Sequence, residues 1–202
     1  SATSRNLVIN GYQDNGTSTY TGNLWVNVNG GDGMECAFDP TNSAYSYSTL
    51  YYGVITRHFN HNDQGDIAGE NINGINEDGG WVTPFVIDHN DGNIMLIGYD
   101  NVWRSNNIKA SSTGSVNWSK ISNFNLEDLD EMAQSYANTN ILYVSESNIL
   151  YRSDNIKATS PSWSNLTSSL PSNNYITAIE THPTNENIVY LAMQNNVYMS
   201  VN

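Results

Sequence analysis

The stretch NIMLIGYDNVWRS (residues 93–105) returns as NILYVSESNILYRS (140–153) and NIVYLAMQNNVYMS (187–200). Each copy is an Asn-Ile opening, a short apolar run, a polar turn and a second apolar run. The copies begin at 93, 140 and 187, two equal steps of 47 residues. A second ruler agrees: Arg57, Arg104, Arg152 and Met199 are separated by 47, 48 and 47 residues. Apolar runs of about five residues bounded by turn formers read as strands. A repeat of this length built from such strands predicts an all-β chain, a β-propeller of four-stranded antiparallel blades with about 47 residues per blade.

Working outward, each repeat divides into four strands. The first is apolar (33–39, 81–88, 132–137, 175–181) and the second is the Asn-Ile run. The third ends on the Arg-Ser pair, and the fourth carries Trp118 or Trp163. Residues 6–17 align on 93–104, so the first segment supplies strands two and three, and Trp25 marks its fourth. The division is a partial blade over 1–28, blades over 30–75, 80–121 and 128–166, and a partial blade over 174–202. Both partial blades carry strands two and three, so they cannot complete one blade together. The expectation is an incomplete arc of a seven-bladed propeller. Only 126–134 (LEDLDEMAQ) has a trace of helical periodicity, and it is too short to stand alone.

Composition excludes some partners. Seven Lys plus Arg against twenty Asp plus Glu give a net charge of −13 in 202 residues. Nucleic acid, whose phosphates need a basic patch, is excluded as a partner. No apolar stretch is long enough for a membrane-spanning helix, so no membrane insertion is expected. Cys36 is the single cysteine, which rules out a disulfide within the chain. An acidic, Lys-poor surface rich in Asn, Ser and Thr points to a protein working outside the cell.

On a propeller, loops between strands two and three and loops leading into strand one share a face, and such loops carry function. That places Gln13, Asp14, Asn15, Asp32, Trp81, Tyr99 and Asp100 as ligand-binding candidates, with Glu146 and Gln194 nearby. Asp14 and Asp32 are the weak candidates for catalysis, since two carboxylates near an axis can act as acid and base on a glycosidic bond. The same pair with backbone carbonyls can hold Ca²⁺; otherwise no cofactor is expected. The competing reading makes QDNG and GGDG tight turns. Residues 58–80 are acidic and carry His58 and His61. Their spacing matches neither a calcium loop nor a zinc site, so they read as a solvated loop replacing a regular hairpin.

Some of these residues carry a family resemblance. SDN (153–155) followed by Trp163 is similar to the Asp-box, the Ser-x-Asp-x-Gly-x-x-Trp hairpin of sialidase-like propellers. SNN (105–107) with Trp118 is a copy lacking the Asp. GYQDNGT (11–17), NGGDGMECAFDPTN (29–42), YYGVITR (51–57) and GGWVTPFVIDHND (79–91) follow in an order that resembles the BNR-repeat, sortilin-like propellers of secreted Bacteroidetes proteins. The resemblance implies a bacterial cell-surface or secreted protein exported by the type IX secretion route. It also implies a structural role for Ser105, Trp118, Ser153, Asp154 and Trp163, on the face opposite a sialidase active site. Sialidase activity itself is not expected. Three of the four arginines recur at one repeat position, which marks a scaffold role, and no Arg-Ile-Pro motif exists.

The combined expectation is a binding or scaffolding module. Its partner is a glycan, a protein, or the remaining blades or domains of the same polypeptide. The alternative is a glycoside hydrolase of xyloglucanase-like type using Asp14 or Asp32.

Overall fold

In the computed structural model, which describes residues 4–201, eighteen strands form five antiparallel sheets. The first sheet is β1 (Val8–Tyr12), β2 (Gly16–Tyr20) and β3 (Trp25–Asn29). The second is β4 (Cys36–Phe38), β5 (Tyr45–Thr49), β6 (Ile55–Phe59) and β7 (Asn62–Ala68). The third is β8 (Phe85–Ile87), β9 (Met95–Gly98), β10 (Val102–Ser105) and β11 (Ser119–Lys120). The fourth is β12 (Glu131–Gln134), β13 (Leu142–Glu146), β14 (Ile149–Ser153) and β15 (Ser164–Asn165). The fifth is β16 (Ile176–Thr181), β17 (Val189–Met193) and β18 (Asn196–Ser200).

Strands lie in chain order within every sheet, so each sheet is a meander and each repeat is one sheet. The Arg ruler is a sheet rung: Tyr47 faces Arg57, Leu96 faces Arg104, Tyr143 faces Arg152 and Tyr190 faces Met199. The leading strands gather toward a common axis. β4 packs near β1, β8 near β12, and β12 near β16.

The sheets cover one another's faces. Every residue of β9 is buried, because the strand has a neighbour on both faces. That is why the Asn-Ile runs are continuously apolar rather than alternating. The apolar core is accordingly divided among the gaps between sheets. Tyr47, Ile55 and Ile67 of the second sheet meet Ile97, Trp103 and Trp118 of the third. Leu96 and Val102 meet Leu142 and Val144. Ile141, Tyr143 and Leu150 meet Ile179, Val189 and Leu191. The gap between the first two sheets differs. It buries Thr17, Thr19, Ser46, Ser48 and Thr56, and Asn29 bridges it by donating to Ser48 Oγ (3.2 Å) and Thr56 Oγ1 (3.0 Å).

Residues 58–80 correct the loop expectation. His58 ends inside β6, fully buried, with its Nε2 2.8 Å from Ser48 Oγ. Asn60 and His61, at φ 48° and 65°, form a two-residue turn into β7. Positive φ at both positions matches the twist of the paired strands. Residues 58–68 thus belong to a bulged β-hairpin, and the loop is confined to 69–80. Carboxylates of both parts are also employed in the fold. Asp66 accepts from Thr56 Oγ1 (2.7 Å). Glu77 accepts from the Asn101 backbone (3.1 Å), Asn101 Nδ2 (3.0 Å), Trp103 Nε1 (2.9 Å) and Lys120 Nζ (3.3 Å). Burial alone would raise the Glu77 pKa, but these donors outweigh it and hold the carboxyl below its ordinary value. The 126–134 stretch is not helical; its end forms β12.

Adjacent sheets are also joined by a repeated polar clasp, which the sequence marks as Asn-Ile-Lys-Ala at 107–110 and 155–158. Arg57 Nη1 donates to the carbonyls of Ile108 (2.8 Å) and Ala110 (2.9 Å) in the next repeat. Arg104 Nη1 donates to Ile156 (2.5 Å) and Ala158 (2.9 Å). The lysine of each segment reaches back: Lys109 to Asp39 (2.5 Å) and Lys157 to Asp88 (2.7 Å). Asp39 and Asp88 are fully buried. Burial would raise their pKa values, but the lysine ammonium groups and turn amides hold both below the usual carboxylate range.

The tryptophans of the third and fourth sheets tie backward as well. Trp118 Nε1 donates to Ile67 O (2.7 Å), and Trp163 Nε1 to Ile121 O (3.0 Å). The turns that present these tryptophans are held by Asn107 and Asn155. Asn107 Oδ1 accepts the Asn117 amide (2.9 Å), and Asn155 Oδ1 accepts the Ser162 amide (2.9 Å). Ser105 and Ser153 accept the amides of those asparagines. Asp154, expected to hold the turn, pairs instead with Arg152 (2.7 Å) and is largely exposed. It occupies the second position of Ser-x-Asn, whose side chain points away from the turn it belongs to.

Candidate functional site at the channel mouth

The loops leading into β4, β8, β12 and β16 converge on one end of the axis and enclose a cleft of about 790 Å³. Glu35, Asp128, Asp130 and Glu131 contribute carboxylates, and Trp81 and Tyr175 contribute aromatic surface. Among the described residues no Lys or Arg lines it.

Glu35 and Glu131 occupy the same repeat position, each four residues before the residue that anchors the first turn, Asp39 and Ser135. The intervening repeat has Pro84 there, so two carboxyl groups face the axis from alternate blades. Half-burial, then the Glu35 charge, then Asp130, push the Glu131 pKa up to about 7. Asp128 is raised by burial and by Asp100, Asp78 and other neighbouring carboxylates. Glu146, behind the rim, is raised by burial and Asp130. The mouth is therefore a strongly negative field in which one carboxyl, Glu131, is raised to about 7.

At the rim, Tyr51 and Trp81 stack with ring centroids 5.4 Å apart and planes 8° from parallel. Tyr52 meets both edge-on, at 5.4 and 5.7 Å. Tyr51 is 40% exposed, Tyr52 50% and Trp81 46%. Three contiguous large aromatics left in solvent form an apolar patch of a kind soluble chains seldom leave without a purpose. Tyr175, 62% exposed, stands on another part of the cleft wall.

The residues singled out from sequence divide among three environments. Trp81 lies in the cleft wall, and Asp100 supports it by accepting the Asp128 amide (3.3 Å). Gln13, Asp14 and Asn15 are exposed at the β1–β2 turn, outside the cleft. Asp14, Asn15 and Asp32 line a separate shallow hollow with Tyr51. Asp14 has φ 63°, and its amide donates to Asp32 Oδ1 (2.6 Å), so Asp32 clamps a tight turn. The contact joins the Asp32 carboxylate to the Asp14 backbone amide, and both side chains stay at the shallow hollow. The placement of Tyr99 is corrected. It is fully buried, its hydroxyl donates to Gly53 O (2.8 Å), and its ring fills the space where a Cβ on Gly53 would lie 2.3 Å from Cε1. Gln194 sits at φ 52° in the exposed β17–β18 turn. Among the described residues, no three His, Cys, Asp or Glu side chains converge as metal ligands.

Glu35, Asp128, Asp130, Glu131, Tyr51, Tyr52 and Tyr175 escaped the sequence reading. The repeat alignment carried a signal for two of them, the Glu35–Glu131 equivalence.

No family model matches the chain, and no curated protein sequence matches it. Solved structures do. The WD40 β-propeller domain of Doa1 superposes with a TM-score of 0.67 at 11% identity, over 98% of this chain and 60% of that one. This chain is a β-propeller. An ancestral GH74 enzyme superposes with a TM-score of 0.60 at 14% identity, over 84% of this chain and 23% of that one. The propeller described here thus spans less than two thirds of each of these two chains. Identities this low speak to fold alone, and propellers host unrelated functions.

Proposed function

We propose that this propeller is a binding module that takes a glycan in the channel mouth, on the surface of a bacterial cell or outside it. The observation that carries the reading is the exposed Tyr51–Trp81 stack beside a carboxylate-lined cleft. Flat aromatic faces cover the C–H faces of sugar rings, and carboxylates accept their hydroxyls. The acidic lining favours neutral or amine-bearing sugars over uronic or sulfated ones. The extracellular setting rests on the composition and on the sequence resemblance.

Trp81→Ala is expected to weaken glycan binding at least about tenfold, and Tyr51→Ala several-fold, as anchor aromatics do. Asp14→Asn leaves binding unchanged. Calorimetry against a panel of neutral and amino glycans checks this. A panel without a binder, or a Trp81→Ala variant that binds as the parent does, overturns the reading.

A second reading has its own support in the Glu131 pKa near 7 beside Glu35. A carboxyl whose pKa is raised to about 7 is suited to donate to a glycosidic oxygen, and a partner carboxylate to complete a glycoside hydrolase pair. Under that reading Glu131→Gln brings polysaccharide turnover to background while glycan binding persists. Under the binding reading, parent and variant both stay at background.

A further inference from the structure

The gap between the first and second sheets is held unlike the others. None of the apolar clusters includes a residue of the first sheet. Residues 6–17 align on 93–104, so Thr17 stands where the clasp arginine stands in the third sheet. Among the described residues no ion pair crosses this gap. What crosses it is a chain of hydrogen bonds. Asp66 Oδ1 accepts from Thr56 Oγ1 (2.7 Å), and Thr56 Oγ1 and Ser48 Oγ accept from Asn29 Nδ2 (3.0 and 3.2 Å). Ser48 Oγ in turn meets His58 Nε2 (2.8 Å). Ser48, Thr56 and His58 are all buried, and among the described residues His58 Nδ1 has no partner.

The order of donors decides what the ring does. Ser48 Oγ accepts from Asn29, so its own hydrogen goes to His58 Nε2, the bare nitrogen of a neutral imidazole. Protonation turns Nε2 into a donor. Ser48 Oγ then faces two donors, its hydrogen loses its acceptor, and a charge lies in a buried gap of hydroxyls and amides. The charged groups near the ring come from β7. Asp63 pairs across from His58 but holds the Gly65 amide (2.6 Å), and Asp66 holds Thr56. β5 faces the ring with Ser46 and Ser48, and the first sheet brings Asn29, Thr17 and Thr19 to the gap; none of these titrates. Burial outweighs the two aspartates and lowers the His58 pKa below its ordinary 6.5. The closed gap therefore binds fewer protons than the opened one. Its stability is whole above that ordinary value and is lost as pH falls through the window beneath it.

We propose that this network is an acid-released latch: when His58 takes a proton the first sheet parts from the second, while the clasped gaps beyond stay closed.

Amide hydrogen exchange of the whole chain at pH 7 and pH 5, each corrected for the intrinsic rate, reads the opening strand by strand. Protection of β2 and β3 is expected to drop about tenfold at pH 5, within the roughly thirtyfold limit that one imidazole of ordinary pKa allows. Protection of β9 and β13 should change by no more than about twofold. His58→Gln keeps an amide for Ser48 and cannot charge, so it should abolish the drop. His89→Gln, which removes another histidine whose pKa burial depresses, should leave it in place. His58→Gln alters a buried site, so the parent chain supplies a separate reading. Exchange of the imidazole C2 hydrogen against pH, resolved by residue, should put the His58 midpoint below that of an ordinary histidine. No drop, a drop shared equally by all five sheets, a drop that survives His58→Gln or vanishes in His89→Gln, or a His58 midpoint at or above the ordinary value overturns the proposal.

Discussion

Arg104→Met is expected to lower stability by about 3 kcal/mol and the melting temperature by about 10 °C. Methionine keeps the apolar stem and removes only the guanidinium, so the loss isolates the polar clasp. Two carbonyls, Ile156 O and Ala158 O, then lose their donor in the packed gap between the third and fourth sheets. Burial lowers the pKa of Arg104, a sign that the guanidinium has been drawn out of water, and each bond it makes counts for more there. The internal control is Arg152→Met, the same substitution on the same rung. Its guanidinium meets Asp154, whose side chain is 62% exposed, so the expected loss is no more than about 1 kcal/mol. Equal loss in the two variants by urea or thermal melting would deny the clasp its role.

Glu131→Gln is expected to stabilise the protein at pH 8 and to leave it unchanged at pH 4. The folded-state pKa, about 7, lies above the ordinary glutamate value of about 4.3. Between those values the native chain holds a proton that the unfolded chain has released. Stability therefore falls as pH rises through that window, and the full penalty applies above pH 7. The glutamine variant escapes it. With a discount for partial exposure, the gain at pH 8 is about 2 kcal/mol. Removing the second cause by Glu35→Gln should move the Glu131 titration back toward the ordinary value. Chemical denaturation of the variants at pH 4, 6 and 8 measures both effects. A gain of the same size at every pH would trace the effect to packing instead.

The fold was legible because its strongest determinant is local and periodic. Asn93, Asn140 and Asn187 open equivalent turns before apolar runs, and no tertiary information is needed to count between them. What sequence hid was the reach of side chains across gaps. Glu77 looks like one more acidic loop residue until Trp103 and Lys120 are found against it. Tyr99 sits in a two-to-three loop, where exposure is the reasonable expectation, and is buried because Gly53 in the neighbouring blade leaves room for its ring. Asp154 drew attention by residue type, whereas the turn depends on Asn155 beside it. The mouth was half legible. Trp81 could be placed there from its loop, but Tyr51 and Tyr52 join it only through the curvature that brings one crossing loop beside the neighbouring hairpin.

The clasps have a consequence for the molecule as a colloid. The chain owns seven cationic side chains, and four of them, Arg57, Arg104, Lys109 and Lys157, are committed to joining sheets. Lys120 and Arg152 are each neutralised by a carboxylate. The charge presented to solvent is therefore almost wholly anionic. Such a particle repels its own kind and polyanions over a Debye length of roughly 8 Å at physiological salt. Crowded on a surface, these molecules would keep apart, and raising the ionic strength would let them approach.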